Sequence, residues 1–394
     1  MTVLAAPTQK KVVLLFDRVG AYAIDVLRGI RRFADTAGNW SCVGAPPVAL
    51  AGRVLRHDPP DGVIAGFLNR AGGAALAHTR IPVVDTYNWF TGFGFPRVLA
   101  DDVAVGREAA AHLLERGIRR FAVVGALQWP WAQLRAKGFT EHLREQGYAC
   151  ETLAMPEHPG KHGSWSSISW SASDESLRAW VARQERPMGL FGVNDHWALR
   201  LTDACSLTGI RVPEDALIIG VDNDTLLCEL ARPPMSSVRI DAERIGYEAA
   251  ALLSRMMAGD APPKQAVLVP PRGVVVRRST EFMAIDDADV VEALRLIRSA
   301  ATRGLSVDHV LAAIPASRRT LERRFRKLVG RGMQAEIRRV RLEHAKTLLR
   351  DTDLQMPAVA KKSGFSGPER MAKFFRLVEG RTPREYRNQH RVMR

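Results

Sequence analysis

From about residue 11 to residue 285, short apolar runs alternate with apolar positions at helical spacing. Val12–Phe16 is β-branched and closes on Asp17, which predicts a strand. Gly62–Phe67, Ile81–Val84, Phe121–Gly125, Leu190–Val193 and Leu217–Val221 predict further strands, with Val267–Val269 and Gly273–Val276 last. Within residues 22–37, Tyr22, Val26, Leu27, Ile30 and Phe33 recur on one helix face, and Val105–Arg116 reads as another helix. Strands that are apolar almost throughout belong to sheets covered on both faces, so this region is expected to be α/β with parallel sheets. Beyond residue 288 only the helical period remains. Helices are expected over 288–301, 307–313, 317–330, 333–349, 358–362 and 366–380. Two of them follow short turns, Ile314-Pro315-Ala316 and Ser363-Gly364-Phe365. The pattern is a tandem helix-turn-helix, with Leu321, Phe325 and Leu328 expected inward in the first unit and Phe374, Phe375 and Val378 in the second.

Charge separates these two regions. The 394-residue chain carries a net +15, and residues 286–394 hold 25 Lys and Arg against 13 Asp and Glu, so +12 of it lies in the helical part. A charge run is ordinarily a solvated face. Here its segregation onto a duplicated turn points instead to a polyanion, double-stranded DNA. The outward positions are Arg318, Arg319, Glu322, Arg323 and Arg326 in the first candidate recognition helix, and Ser366, Glu369, Arg370 and Lys373 in the second. Arg can pair with guanine and Glu can accept from cytosine, while the remaining cations suit phosphate. The four cysteines, Cys42, Cys150, Cys205 and Cys228, are scattered with no metal-ligand spacing, so reduced thiols and no metal or cofactor are expected. No export signal is read in the opening MTVLAAPTQKK and no apolar run reaches 18 residues, which leads us to expect a cytoplasmic protein with no membrane partner.

The residues just after the strands carry the other chemistry. Asp17 follows the first strand and Asp85 the third, with Trp89 close behind. A loop with Trp129 and Trp131 follows Gly125, Asn194-Asp195 follows Val193, and Asp222-Asn223-Asp224 follows Val221. Ligands of open α/β sheets bind at the carboxyl ends of strands. Carboxylates, amides and flat indoles suit a small polyhydroxylated ligand, because hydroxyls need oriented partners and a sugar's apolar face packs on aromatic rings. Taken singly, an Asp there is as readily a helix cap and a Trp as readily core; their conjunction favours a sugar site.

Val98-Leu99-Ala100-Asp101-Asp102, Gly106, Ala110-Ala111-His112-Leu113, Gly117 and Arg120-Phe121-Ala122 resemble the LacI-type sugar-sensing domain. So do Arg135-Ala136-Lys137-Gly138-Phe139, Val193-Asn194-Asp195, Gly220-Val221-Asp222-Asn223-Asp224 and the closing Arg277-Arg278-Ser279-Thr280. The resemblance spans residues 11–280. It implies two α/β lobes, 11–101 with 235–262 and 102–230 with 266–280, joined by three crossovers around a ligand cleft. By position it assigns effector contacts to Arg135, Asn194 and Asp222, with Asp17, Asp85, Trp89, Trp129 and Trp131 as further candidates. Repressors of that type carry a DNA-binding segment at the front, and none is expected before Val12 here. Residues 281–288 are expected to be a linker.

Residues 289–391 resemble the AraC-family DNA-binding domain through Ser317–Gly330, Ala360…Gly364-Phe365 and Phe375…Gly380-Arg381-Thr382-Pro383…Tyr386-Arg387. That implies seven helices, with two recognition helices in successive major grooves and base contacts from Arg319, Glu322, Arg323, Glu369 and Lys373. Arg370-Met371 departs from the two aromatics usual there, which puts the packing of that helix in doubt. A LacI-type sensor ahead of an AraC-type reader is similar to bacterial regulators of pentose operons. This implies an activator that responds to D-xylose, acts as a homodimer and engages RNA polymerase. Two alternatives remain open: a sensor of another sugar or a purine, and a DNA-linked enzyme. AraC-type domains fused to DNA-repair methyltransferases use clustered cysteines, which this chain lacks. No nucleophile–base motif or glycine-rich phosphate loop stands out either.

Overall fold

The computed structural model describes residues 9–16, 20–45, 59–66, 70–89, 92–156, 172–281 and 287–390. It forms two compact units, Met1–Phe282 and Met283–Arg394.

The first unit has two lobes. In one, β1 (Lys10–Leu15), β2 (Trp40–Ala45), β3 (Gly62–Ala65) and β4 (Val83–Asp85) form a parallel sheet in the order β2-β1-β3-β4. β5 (Val98–Ala100) then leads into α3 (Asp102–Leu114) of the other lobe, after α1 (Ala21–Ala37) and α2 (Arg70–Ala77). The second lobe alternates β6 (Phe121–Gly125), α4 (Pro130–Glu145), β7 (Cys150–Ala154), α5 (Ala172–Ala182), β8 (Met188–Gly192), α6 (Asp195–Leu207), β9 (Ala216–Val221), α7 (Thr225–Leu230) and β10 (Ser236–Val238). The chain returns through α8 (Ala242–Met257), β11 (Val267–Val269) and β12 (Val274–Val275). The second sheet has the order β12-β10-β9-β8-β6-β7, and its edge strand β12 runs antiparallel. Every residue of β6, β8 and β9 is buried, which explains why they read as continuous apolar runs.

The structure moves two expected boundaries. Ser236–Val238, placed with the first lobe by the resemblance, pairs with Ile219–Val221 in the second sheet, while α8 packs on α1 of the first lobe. The crossover therefore falls after Val238. The late strand Val267–Val269, grouped with the second lobe, pairs instead with β5 at the crossover. Ser279 and Thr280 of the closing motif are fully buried in the second lobe. The Ser279 hydroxyl donates to the Ile218 carbonyl at 2.6 Å, and Thr280 Oγ1 lies 2.8 Å from His112 Nε2.

The second unit contains seven α-helices among its described residues: α9 (Ala288–Ala300), α10 (Val307–Ala312), α11 (Arg318–Val329), α12 (Met333–Asp351), α13 (Met356–Lys362), α14 (Pro368–Glu379) and α15 (Pro383–His390). Of the expected linker, residues 282–286 lie outside the described residues, and Asp287 caps α9 by accepting from the Val290 amide. The unit has two cores sharing one helix. Met333 and Ile337 of α12 pack with Leu321 and Phe325. Leu342, Ala345 and Leu349 of the same helix pack with Met371, Phe375 and Tyr386. Two expected core residues are corrected. Leu328 and Val378 are exposed, because each sits one position from the end of a helix that turns away at Gly330 or Gly380 in the left-handed conformation.

Candidate functional site

A cleft opens between the lobes of the first unit at the carboxyl ends of the strands. Tyr22, Thr86, Tyr87 and Trp89 line it from the first lobe, and Asp102, Trp131, Arg135, Asn194, Asp195, His196, Asp222 and Asp224 from the second. Arg135 is its hub and is only 5% exposed. Its Nε donates to Asp102 Oδ1 at 2.8 Å, Nη1 to the Val193 carbonyl at 2.8 Å and Nη2 to Asp222 Oδ1 at 3.4 Å. The guanidinium lies over the Trp131 ring, 4.9 Å from its centroid. The helices that carry Arg135 and Asp102 cross very closely. A Cβ on Gly106 would stand 2.0 Å from the Arg135 carbonyl oxygen, and one on Gly138 would stand 2.1 Å from that of Val103. The two glycines thus set the depth at which Arg135 sits.

The acidic side of the cleft is built on strained backbone. Asp222 has φ +99° and Asn223 φ +53°, both in the left-handed region. Three hydrogen bonds hold the turn. The Asn223 amide donates to Ser237 Oγ at 2.9 Å, Arg277 Nη2 to Asn223 Oδ1 at 2.9 Å, and the Asp224 amide to Asp195 Oδ2 at 2.7 Å. Asp195, 1% exposed, also accepts from Ser237 Oγ at 2.6 Å. Burial raises the carboxyl of Asp102 to about 6 against the opposing pull of Arg135. Burial likewise raises Asp222, again opposed by Arg135, and burial with repulsion from Asp222 raises Asp195 well above the carboxylate range. Burial lowers His196, against the opposing pull of Asp222 and Asp224.

The opposite wall is aromatic. Tyr22 meets Tyr87 edge-on at 4.7 Å, Tyr87 stacks on Trp89 at 5.9 Å, and Trp131 stands edge-on to Trp89 at 6.2 Å. The Trp131 indole N–H is buried without a hydrogen-bond partner among the described residues, a donor available to a ligand oxygen.

Of the expected effector residues, the structure brings Arg135, Asn194, Asp222, Trp89 and Trp131 to this cleft. Asn194 also caps α6, accepting from the Trp197 amide at 3.0 Å. Trp129 and Asp85 stand outside the lining. Trp129 packs edge-on against Trp89 at 4.4 Å, and the Asp85 carboxylate accepts from the Tyr87 amide at 3.0 Å, holding the aromatic loop. Asp17 lies outside the described residues. Sequence reasoning missed Tyr22, Tyr87, Asp102, His196 and Asp224. Asp102, in the first turn of α3, and Asp224, the cap of α7, lie within the motifs that carry the resemblance and were readable as helix-terminus acids. Tyr22 and Tyr87 carried no signal apart from their places in a helix face and a loop.

In the second unit, Arg319, Glu322, Arg323 and Arg326 are exposed on α11, and Ser366, Glu369, Arg370 and Lys373 are exposed at the turn and on α14. Ser317 caps α11 by accepting from the Thr320 amide. Arg318 donates to Asp308 at 3.1 Å and to Glu322 at 3.2 Å, so part of its charge is matched within the unit. Arg324 points the other way. It pairs with Asp287 and, at 2.9 Å, with Asp289, locking α11 to the start of α9. Met371, where the resemblance broke down, is buried against Phe375 in the second core, so a thioether fills the place of an aromatic ring.

Residues 110–280 match the family model of a periplasmic binding protein-like domain, and residues 310–389 match that of a helix-turn-helix domain. The xylose operon regulatory protein of Escherichia coli K12 is 30% identical over 386 residues, covering 96% of this chain and 97% of that protein. The protein of the same name from Haemophilus influenzae is 27% identical over 385 residues, covering 96% and 98%. A solved structure of a xylose-binding transcription activator aligns with a TM-score of 0.62 at 29% identity, covering 98% of this chain and 100% of that one. A LacI-family regulator from Enterococcus faecium with bound ribose shares the fold of the first unit, with a TM-score of 0.55 at 21% identity over 68% of this chain and 98% of that one.

Proposed function

Since the chain belongs to the family of the xylose operon regulatory proteins, a periplasmic-binding-like sensor joined to an AraC-type DNA-binding domain and not an enzyme, we propose that it activates transcription in response to D-xylose held in the interlobe cleft. The observation that carries this reading is the Arg135 cluster facing an aromatic wall. A pentose presents hydroxyls that donate to Asp102 and Asp222 and accept from Arg135, Asn194 and the Trp131 indole, while its C–H face packs on Trp89 or Trp131. Because the cleft joins two lobes, a ligand that contacts both favours a closed arrangement over an open one. In our reading the closed state re-orients two copies of the chain, and the exposed residues of α11 and α14 read DNA bases. RNA polymerase is the partner at the promoter, and the cytoplasm is the compartment where sugar, DNA and polymerase meet. Among the described residues no helix is long and apolar enough to cross a membrane.

Calorimetric titration of the full chain against D-xylose, D-ribose, D-glucose and a purine tests the effector. Saturable binding of D-xylose with weaker or no binding of the others is expected. Binding of a purine or of another sugar in its place overturns the assignment. Sedimentation with and without xylose tests the dimer, and transcription in vitro with polymerase separates activation from repression.

A further inference from the structure

The helical unit holds a groove between the second recognition helix and the long helix α12. It runs between the long helix α12, which supplies Arg338 and Arg341, and α14, which supplies Arg370, Lys373 and Phe374, with Ser366 at the turn. No carboxylate is among its lining residues. Arg341 is occupied structurally, donating to the carbonyls of Ala301 and Leu305 at 2.8 Å each. The other three cations are exposed and form no ion pair among the described residues. Arg338 is held over the Phe374 ring, 6.0 Å from its centroid, so its fork stands at the groove rather than sweeping through solvent. Some exposed arginines of this unit are matched within the fold, as Arg295 is by Glu292 and Arg318 by Asp308, whereas the groove's three exposed cations, like those on the outer face of α11, are left to an outside anion. Like charges gathered without counter-charge repel, and an arriving anion relieves that repulsion.

We propose that this groove seats a phosphodiester of the DNA backbone, with Arg338 of the long helix as a third point of DNA contact alongside the two recognition helices. The occupant follows from continuity. Arg370 and Lys373 belong to the second recognition helix, so a groove they share with Arg338 lies on the side that meets DNA. This rests on the DNA-binding reading of α11 and α14. A phosphate contact there carries no base preference but fixes register, so the long helix grips the backbone between the grooves as well as spacing the two reading heads.

The test measures binding of the full chain to a duplex selected by the protein from a random pool, and to a scrambled duplex, from about 50 to 200 mM salt. For R338A, affinity is expected to fall by the same factor on both duplexes, and the slope of log K against log salt to shrink by about 0.9, one phosphate's worth. R338K is expected to keep the slope. R295A, which breaks a matched surface pair on α9, is expected to change neither. An unaltered slope in R338A, with Arg323→Ala still weakening the selected duplex, overturns the groove while leaving the DNA reading intact. Failure of the wild-type chain to select any duplex overturns both.

Discussion

At the scale of single residues, the cleft concentrates charge at the buried Arg135 and Asp102 and the half-buried Asp222. Replacing Asp222 with Ala removes an acceptor and leaves Arg135 with one carboxylate fewer. The expected result is loss of D-xylose binding by at least tenfold, about 1.4 kcal/mol, with DNA affinity in the absence of sugar preserved. Titration of both ligands checks this, and wild-type sugar affinity would remove Asp222 from the site. Asp102 carries a pH signature. Its carboxyl is raised by burial to about 6 from an ordinary value near 3.8. The folded state therefore holds a proton that the unfolded chain releases. The associated stability is full below about 4 and is lost as pH rises through about 6. Between pH 5 and pH 7 this amounts to roughly 1–2 kcal/mol. Asp102→Asn is expected to flatten that part of the stability profile, read by denaturant unfolding at the two pH values. An unchanged profile would show that Arg135 keeps Asp102 ionised throughout. On the DNA side, Arg323→Ala is expected to cost roughly 1–3 kcal/mol and to relax specificity at one base pair. Equal losses on matched and mismatched duplexes would make Arg323 a phosphate contact.

At the scale of elements, the two cores strung along α12 make a separable prediction. Phe375 is fully buried in the second core, which Phe325 of the first does not share. Phe375→Ala is expected to cost about 3–5 kcal/mol locally. Hydrogen exchange should then rise in α13–α15 and much less in α10–α11, and a uniform rise would show one cooperative unit. The helix that joins them has 19 residues, about 28 Å, close to the ~34 Å repeat of the major groove. Which elements were legible follows the same physics. β6, β8 and β9, buried on both faces, announced themselves as apolar runs. β2 (WSCVGA) and β7 (CETLA) are sheet-edge strands with exposed or half-buried side chains and gave no such run. β10 reads Ser-Ser-Val, yet it is wholly buried because Ser236 and Ser237 bond to Thr280 and Asp195. Its place depended on tertiary partners that no local period encodes. The cleft divided likewise. Arg135, Asn194 and Asp222 were reachable through motif order, whereas Tyr22 and Tyr87 reach it only because the first lobe folds them there.

At the scale of the whole molecule, the charge division and the chemistry divide at the same boundary: +12 of the net +15 lies in the helical region, and the cleft's buried carboxylates, Asp102 and Asp195, lie in the sensor. Sugar binding alone does not make a switch. At a hundred times its dissociation constant D-xylose stabilises the state it binds by about 2.7 kcal/mol, whereas carrying a two-state equilibrium from 1:99 to 99:1 needs about 5.5 kcal/mol of difference between states. The quantity that decides regulation is therefore the coupling between the two ligands, and coupling is reciprocal. If saturating D-xylose tightens DNA binding by a given factor, saturating DNA must tighten D-xylose binding by the same factor. Titrating xylose into the free chain and into the chain saturated with its selected duplex measures this directly. A difference of 5–150-fold, about 1–3 kcal/mol, is expected for control exerted through DNA affinity. Equal affinities would mean that xylose leaves DNA occupancy untouched, and that the signal acts after binding, on how the bound chain presents itself to the polymerase.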